Sequence, residues 1–292
     1  MNAKNVKQLD TEIDLVKSIR LLAKAYEELA VMQMQRIRGS VQNNRHFTEE
    51  LNNIYSEVKF SYRKKMLSMV KGKSEESDNF SFSTLNKNGK KLALLITPDQ
   101  RFSGSIAQKV FYPFYEYINT ENCDVAVIGR VGKEMFAQAS FSQSFIFIDI
   151  PSTGDQDAIS KVLSFMTNYE SVEVFYGKYL NLIKQGVIKQ NLTGDELGVS
   201  DYDTIKSEEY LFEPSVEKIL NFFEVQIFGT IFKQILSEAK LARLGSRISA
   251  MEVATNNASS RVKFLDKQRN SMQKGINNKK QLQRISGISI WG

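Results

Sequence analysis

Ser-Glu-Ala-Lys-Leu-Ala-Arg-Leu-Gly-Ser-Arg-Ile-Ser-Ala-Met-Glu-Val-Ala-Thr-Asn-Asn-Ala-Ser-Ser-Arg-Val-Lys-Phe-Leu-Asp-Lys-Gln-Arg, residues 237–269, contains no proline and predicts one unbroken helix. Ala239, Ala242, Ser246, Ala250, Ala254 and Ala258 follow one another at steps of three or four, which is one stripe of a helix. The stripe continues through Val262, Leu265, Met272 and Ile276, passing from small side chains to bulky ones. Interaxial distance depends on side-chain size at the contact, so a stripe of small residues lets a partner helix come close. Arg243, Arg247, Arg261, Lys263 and Lys267 lie off the stripe and are expected to face outward.

The four prolines, Pro98, Pro113, Pro151 and Pro214, all fall in the middle of the chain, so neither end is barred from a very long helix. Residues 10–70 carry a second helical pattern. Leu15, Leu22 and Leu29 recur every seven residues, and Ile19 and Tyr26 take the alternate position. Val16, Ala23, Ala30 and Ile37 widen this strip. Apolar heptads over such a length predict a coiled coil with the first strip as its seam, with a kink or break expected at Gly39. A 60-residue helix would span roughly 90 Å at 1.5 Å per residue, beyond the width of a globular domain.

Residues 74–90 are polar and predict a linker. The segment 91–214 alternates strand and helix patterns: strands at 92–97, 124–128, 144–150 and from 172, helices at 105–118, from 132, and at 156–168. That alternation predicts an α/β layer with a largely parallel sheet. The expected architecture is α/β: a long antiparallel coiled coil of N- and C-terminal helices with a Rossmann-like α/β domain inserted between them. The segments are 1–73 for the first helix, 74–90 for the linker, 91–214 for the domain, and 215–292 for the last helix and tail.

Charge follows the same division. The chain has a net charge of +6, but both helical ends are basic and the middle is acidic. Hydrophobic residues make up 42% and charged residues 25%, ordinary for a globular protein. The single cysteine, Cys123, excludes an intramolecular disulfide and fits a reducing compartment. No run approaches the roughly 18 apolar residues of a membrane-spanning helix, and no signal-peptide pattern is seen.

Chemistry is hard to find. Gly129-Arg130-Val131-Gly132-Lys133 follows a strand, but it lacks the third glycine of a dinucleotide fingerprint and is no Walker sequence, so a turn is the better reading. His46 is the only histidine, and one His with one Cys makes no metal-ligand set of the usual soft kind. No paired carboxylates suggest acid–base work. The expectation is a chain with no catalytic residues, no cofactor and no metal. The basic helices admit a solvated exterior, a nucleic-acid surface or an acidic protein sleeve. Aromatics are not interleaved with the charges over 240–284, which disfavours nucleic acid.

The opening stretch also carries a resemblance. Ala250-Met251-x-x-Ala254-Thr255-x-Asn257-Ala258, with Arg247 ahead of it and Arg269 behind, resembles the C-terminal signature of the gamma subunit of F-type ATP synthases. Thr97-Pro98-Asp99-Gln100-Arg101-Phe102-Ser103-Gly104-Ser105 is similar to that family's loop after the first strand, though Phe102-Ser103-Gly104 replaces its cysteine-containing segment. Gly129-x-x-Gly132-x-x-x-Phe136 and Tyr210-Leu211-Phe212-Glu213-Pro214 match as well. In the N-terminal helix Ser18 and Lys24 match, while Leu29 stands where the family commonly has methionine. The tail departs from the family: Asn277-Asn278-Lys279-Lys280-Gln281 is basic, and the end carries Ile288, Ile290 and Trp291.

The resemblance implies a non-catalytic central shaft inside a hexamer of alpha and beta subunits. It also implies an epsilon-like subunit and a membrane rotor ring if the motor is conventional, and no nucleic acid. Ser18, Lys24, Leu29, Arg247, Ala250, Met251, Ala254, Thr255, Asn257, Ala258 and Arg269 are the implied seam or hexamer-contact residues. It places the chain in the cytoplasm, held to the inner face of the membrane only through its complex. A diverged F-like motor with another load, such as gliding, and a non-rotary coiled-coil adaptor stay open beside it.

Overall fold

The computed structural model describes residues 3–69, 88–139, 144–150, 156–182, 184–192 and 216–288. Two helices dominate: α1 (Ala3–Met69, 67 residues) and α5 (Val216–Ile288, 73 residues). Helix α1 runs through Gly39 without a break. A Cβ there would meet nothing within 4 Å, so the glycine costs only its backbone entropy, about 1 kcal/mol, which a helix of this length absorbs. The predicted linker lies almost wholly outside the described residues, as does the 210–214 motif.

Between the helices lie β1 (Lys91–Ile96), α2 (Ile106–Thr120), β2 (Asp124–Ile128), α3 (Arg130–Gln138), β3 (Phe145–Ile148), α4 (Gln156–Met166), β4 (Ser171–Tyr179) and β5 (Gln185–Asn191). The sheet order is β3-β2-β1-β4-β5. Its first four strands are parallel and β5 is antiparallel to β4, with Tyr176 opposite Ile188. Strand β1 is central and buried on both faces, hence its continuous apolar run. Leu92, Leu94 and Ile96 face α4 and the start of α5, packing with Met166, Ile231, Phe232 and Ile235. Ala93 and Leu95 face α2 and α3, packing with Phe114 and Phe136.

Strand β5 was not expected from sequence. Only Val187 and Ile188 are apolar in its seven residues, and its side chains are mostly half-buried, so alternation barely shows. Its pairing is set by the turn before it, where the Lys184 amide donates to Asn181 Oδ1 at 2.6 Å.

Residues 34–246 form one compact unit, which takes in the sheet with the adjoining lengths of α1 and α5. Residues 1–33 and 247–292 form a second. This second unit is a pair of antiparallel helices. Ile13 of α1 packs on Val262 and Leu265 of α5, flanked by Leu9 and Val16. Arg261 pairs with Glu12 at 2.6 Å and Arg269 with Asp10 at 3.5 Å.

The seam is not the leucine strip. Ile13, Ala23 and Ala30 are buried, whereas Leu15, Ile19, Leu22, Tyr26 and Leu29 are 43–60% exposed. The strip expected only to widen the seam is the seam itself. Alanines at 23 and 30 let the backbones approach, and a leucine in their place would hold them apart.

Candidate functional site

Sheets with this strand order bind nucleotides beyond the carboxyl ends of their strands, where the order reverses, here between β1 and β4. In this protein that position is filled from within. Ala239 and Arg243 of α5 lie against Ile96, Pro98, Ile106 and Gly177, leaving a void of only about 10 Å³, far too small for a nucleotide. Arg243 Nη1 donates to the Thr97 carbonyl at 3.4 Å. Arg243 was expected to face outward; instead it is half-buried against the end of β1, because the sheet unit packs on α5 at this level.

The turn before α3 is closed as well. Gly129 has φ +97°, and a Cβ there would stand 2.2 Å from the Thr97 carbonyl oxygen. The Thr97 hydroxyl donates to the Ile128 carbonyl at 2.9 Å and accepts from the Gly132 amide at 2.9 Å. The Val131 amide donates to the Pro98 carbonyl at 3.1 Å. The Val131 and Gly132 amides, which a helix N-terminus could offer to a phosphate, are thus taken by the chain itself. Thr97→Val keeps the shape but removes this bridge, leaving a buried amide unsatisfied, and is expected to cost about 1–3 kcal/mol in urea denaturation.

Among the described residues, the other titratable groups show no catalytic arrangement. Burial, helped by the Glu121 and Asp124 carboxylates, pushes the Cys123 thiol above its usual range, so it stays protonated and unreactive at neutral pH. Burial and the neighbouring Glu173 raise the Tyr117 phenol in the same way. Among the described residues no group of three His, Cys, Asp or Glu could hold a metal ion.

What remains is surface on the paired helices. Of the residues singled out by sequence, Met251 and Ala258 are buried and Ala250, Ala254 and Thr255 are half-buried. Arg247 is half-buried, not outward as expected, and burial pulls its guanidinium below the usual range, partly offset by Tyr26. Arg269 bridges Asp10 and Asp266. Ser18, Lys24, Leu29 and Asn257 are exposed. The Ser18 hydroxyl donates to the Asp14 carbonyl, and Lys24 pairs with Glu27 at 3.2 Å.

Ala258→Leu is therefore the overpacking change, expected to cost about 1–3 kcal/mol. Half-buried Ala254→Leu should cost less than about half of that by the same reasoning. Thermal melts of the two variants give the comparison, and an equal loss would mean that Ala254 sits as deep as Ala258.

The leucine strip is the feature sequence reading placed on the wrong side. Leu15, Ile19, Leu22, Tyr26 and Leu29 alternate at steps of four and three and are all exposed. They form an apolar line along about 20 Å of α1 at 1.5 Å per residue. An exposed line of large apolar residues marks an interaction surface.

Comparison with known proteins agrees with the reading as a shaft subunit. A family model described as ATP synthase matches residues 5–278. Among curated relatives, the ATP synthase gamma chain of Clostridium perfringens is 25% identical over 284 residues, covering 92% of each chain. That of Chloroflexus aurantiacus is 24% identical and covers 89% of each. Among solved structures, the central stalk of the Tetrahymena thermophila mitochondrial ATP synthase aligns with a TM-score of 0.56 at 18% identity. It covers 80% of this chain and 99% of that one. The Euglena gracilis mitochondrial enzyme gives 0.52 at 14%, covering 88% of this chain and 94% of that one. With helices, sheet and family match in accord along almost its whole length, the chain belongs to the ATP synthase family as a gamma-chain relative.

Proposed function

We propose that this chain is the rotor shaft of an F-type or F-like ATPase, turning inside a ring of alpha and beta subunits and doing no chemistry itself. The observation that carries the reading is the paired-helix rod with an uncovered apolar strip on one side, in a chain whose relatives are named gamma chains. A rod with unlike faces presents a different surface to each catalytic site, so its orientation biases which site is open or closed. That is coupling through differential contacts in distinct states.

A helix turning in a bore is held by the apolar line of α1, with the basic side chains Lys263, Lys267 and Lys274 of α5 facing an acidic wall. Complementary charge attracts without fixing one register, which suits a moving part. No helix among the described residues is long and apolar enough to cross a membrane, so attachment to one would run through partner subunits. A non-rotary adaptor is not favoured, because the family match runs the length of the chain and not over the helices alone.

The test is purification of the native complex followed by single-molecule rotation. The expected result is a nucleotide-hydrolysing hexamer with this chain at one copy, and a bead on the chain that turns in ATP. Recovery without any hexameric ATPase would reject the shaft and favour an adaptor.

A further inference from the structure

Ile231, Phe232 and Ile235 hold α5 to one face of the sheet by apolar packing, and a second contact lies at the sheet's carboxyl end. We propose that the carboxyl end of the sheet is keyed to α5 by close-packed glycines and small side chains, so that turning force passes through shape. The inference rests on the rotary reading above.

Three glycines make the key. A Cβ on Gly104 would lie 2.4 Å from Ser246 Oγ and 2.8 Å from its carbonyl oxygen. One on Gly177 would lie 2.8 Å from Ile106 Cγ1 and 3.5 Å from Ala242 Cβ, and one on Gly245 would lie 3.0 Å from Gln185 Nε2 and 3.3 Å from the Tyr179 ring. Gly104 lies in the loop before α2 and meets α5 most tightly; Gly177, in β4, is filled by Ile106 of α2 and touches Ala242 of α5 at ordinary contact distance, and Gly245 of α5 admits Gln185 and Tyr179 from the sheet. Ala242 and Ser246 are buried.

The loop that carries Gly104 contains a strained residue, Phe102. Phe102 and Gly104 both take positive φ, +65° and +62°. Buried Ser103 ties the loop back by donating to the Gln100 carbonyl at 3.2 Å. Non-glycine residues adopt such angles only where the surroundings impose them.

The key resists rotation because of what stands beside each small residue. Ala242 is flanked in sequence by Leu241 and Arg243, and Ser246 is followed by Arg247. One residue of rotation about the helix axis, roughly 100°, would carry a leucine or an arginine toward the seat that now admits only alanine. A close-packed contact of this kind has no continuous path out; it holds or it jumps. The Arg243–Thr97 hydrogen bond, at 3.4 Å, adds direction to this contact.

The test uses the whole chain with Gly177→Val, and Gly177→Val/Ile106→Ala as the volume-compensated partner. In hydrogen exchange, the single variant is expected to raise exchange at 97–105 and 239–246 at least tenfold, with β2 changed less than twofold. The double variant should restore protection. In the rotating complex, a bead fixed to α2 should slip under load with Gly177→Val, its speed falling at least twofold at loads the wild type sustains, while ATP hydrolysis stays the same. Unchanged exchange at 239–246, or an unchanged load response, overturns the key. A wild-type complex that never turns rejects the shaft itself. That result is distinct from slip, which requires a wild type that rotates.

Discussion

Gly129→Ala is expected to destabilise the sheet unit by about 2–6 kcal/mol, combining about 1–3 kcal/mol for a backbone conformation that glycine alone adopts easily with an overpacking cost of about 1–3. The new Cβ would stand 2.2 Å from the Thr97 carbonyl oxygen and 2.7 Å from its hydroxyl, at a residue with φ +97°. Neither neighbour can yield. The carbonyl ends the central strand, and the hydroxyl bridges Ile128 and Gly132. Against a typical domain stability of 5–15 kcal/mol, that loss leaves a large unfolded fraction. Urea denaturation followed by circular dichroism would measure it. The same chemical change at Gly39, inside α1 with open space around it, should stabilise by roughly 0.5–1 kcal/mol. Opposite signs for one substitution type are the diagnostic result; a mild effect at Gly129 would mean that the turn can relax.

The second large effect concerns the exposed strip. Leu15→Gln/Leu22→Gln/Leu29→Gln should leave the isolated chain's melting temperature within about 2 °C, since these side chains are at least half exposed and surface changes usually stay within ±0.5 kcal/mol each. Assembly with the hexamer should weaken at least 100-fold. Each large apolar contact at an interface centre is worth about 1 kcal/mol or more, and 1.4 kcal/mol is a factor of ten. Binding measured by titration would decide. Normal assembly would show that the strip faces nothing in the complex. A lost fold would show that it is a seam after all.

The fold was legible in the sequence where periodicity had length to act. Strand β1, buried on both sides, announced itself as an unbroken apolar run, and the absence of proline outside the middle allowed helices of the length found. Strand β5 was silent because a half-buried edge needs little apolar content. The coiled-coil seam was assigned to the wrong strip for a related reason. Leucines at heptad spacing weigh more in any hydrophobicity pattern than Ala23 and Ala30, yet close helix packing selects for small size.

The small-residue stripe on α5 was visible, but not its two kinds of partner: Ala242 and Ser246 meet glycines of the sheet unit, and Val262 and Leu265 meet Ile13 of α1. Arg243 could not be placed from sequence, since its partner is a backbone carbonyl 146 residues away. The glycine turn was read correctly as a turn, although the hydroxyl that caps it comes from Thr97, just past the end of β1.

The register of the two helices has one further consequence. Asp10 stands level with Arg269, and α5 continues from there to Ile288. From Asn277 to Ser286 every side chain is exposed, including Leu282 and Ile285. Bending rigidity climbs steeply with the thickness of a rod. The last turns of α5 are thus a slender, compliant nib on a stiffer stem, able to flex or centre itself while the doubled part below keeps its line.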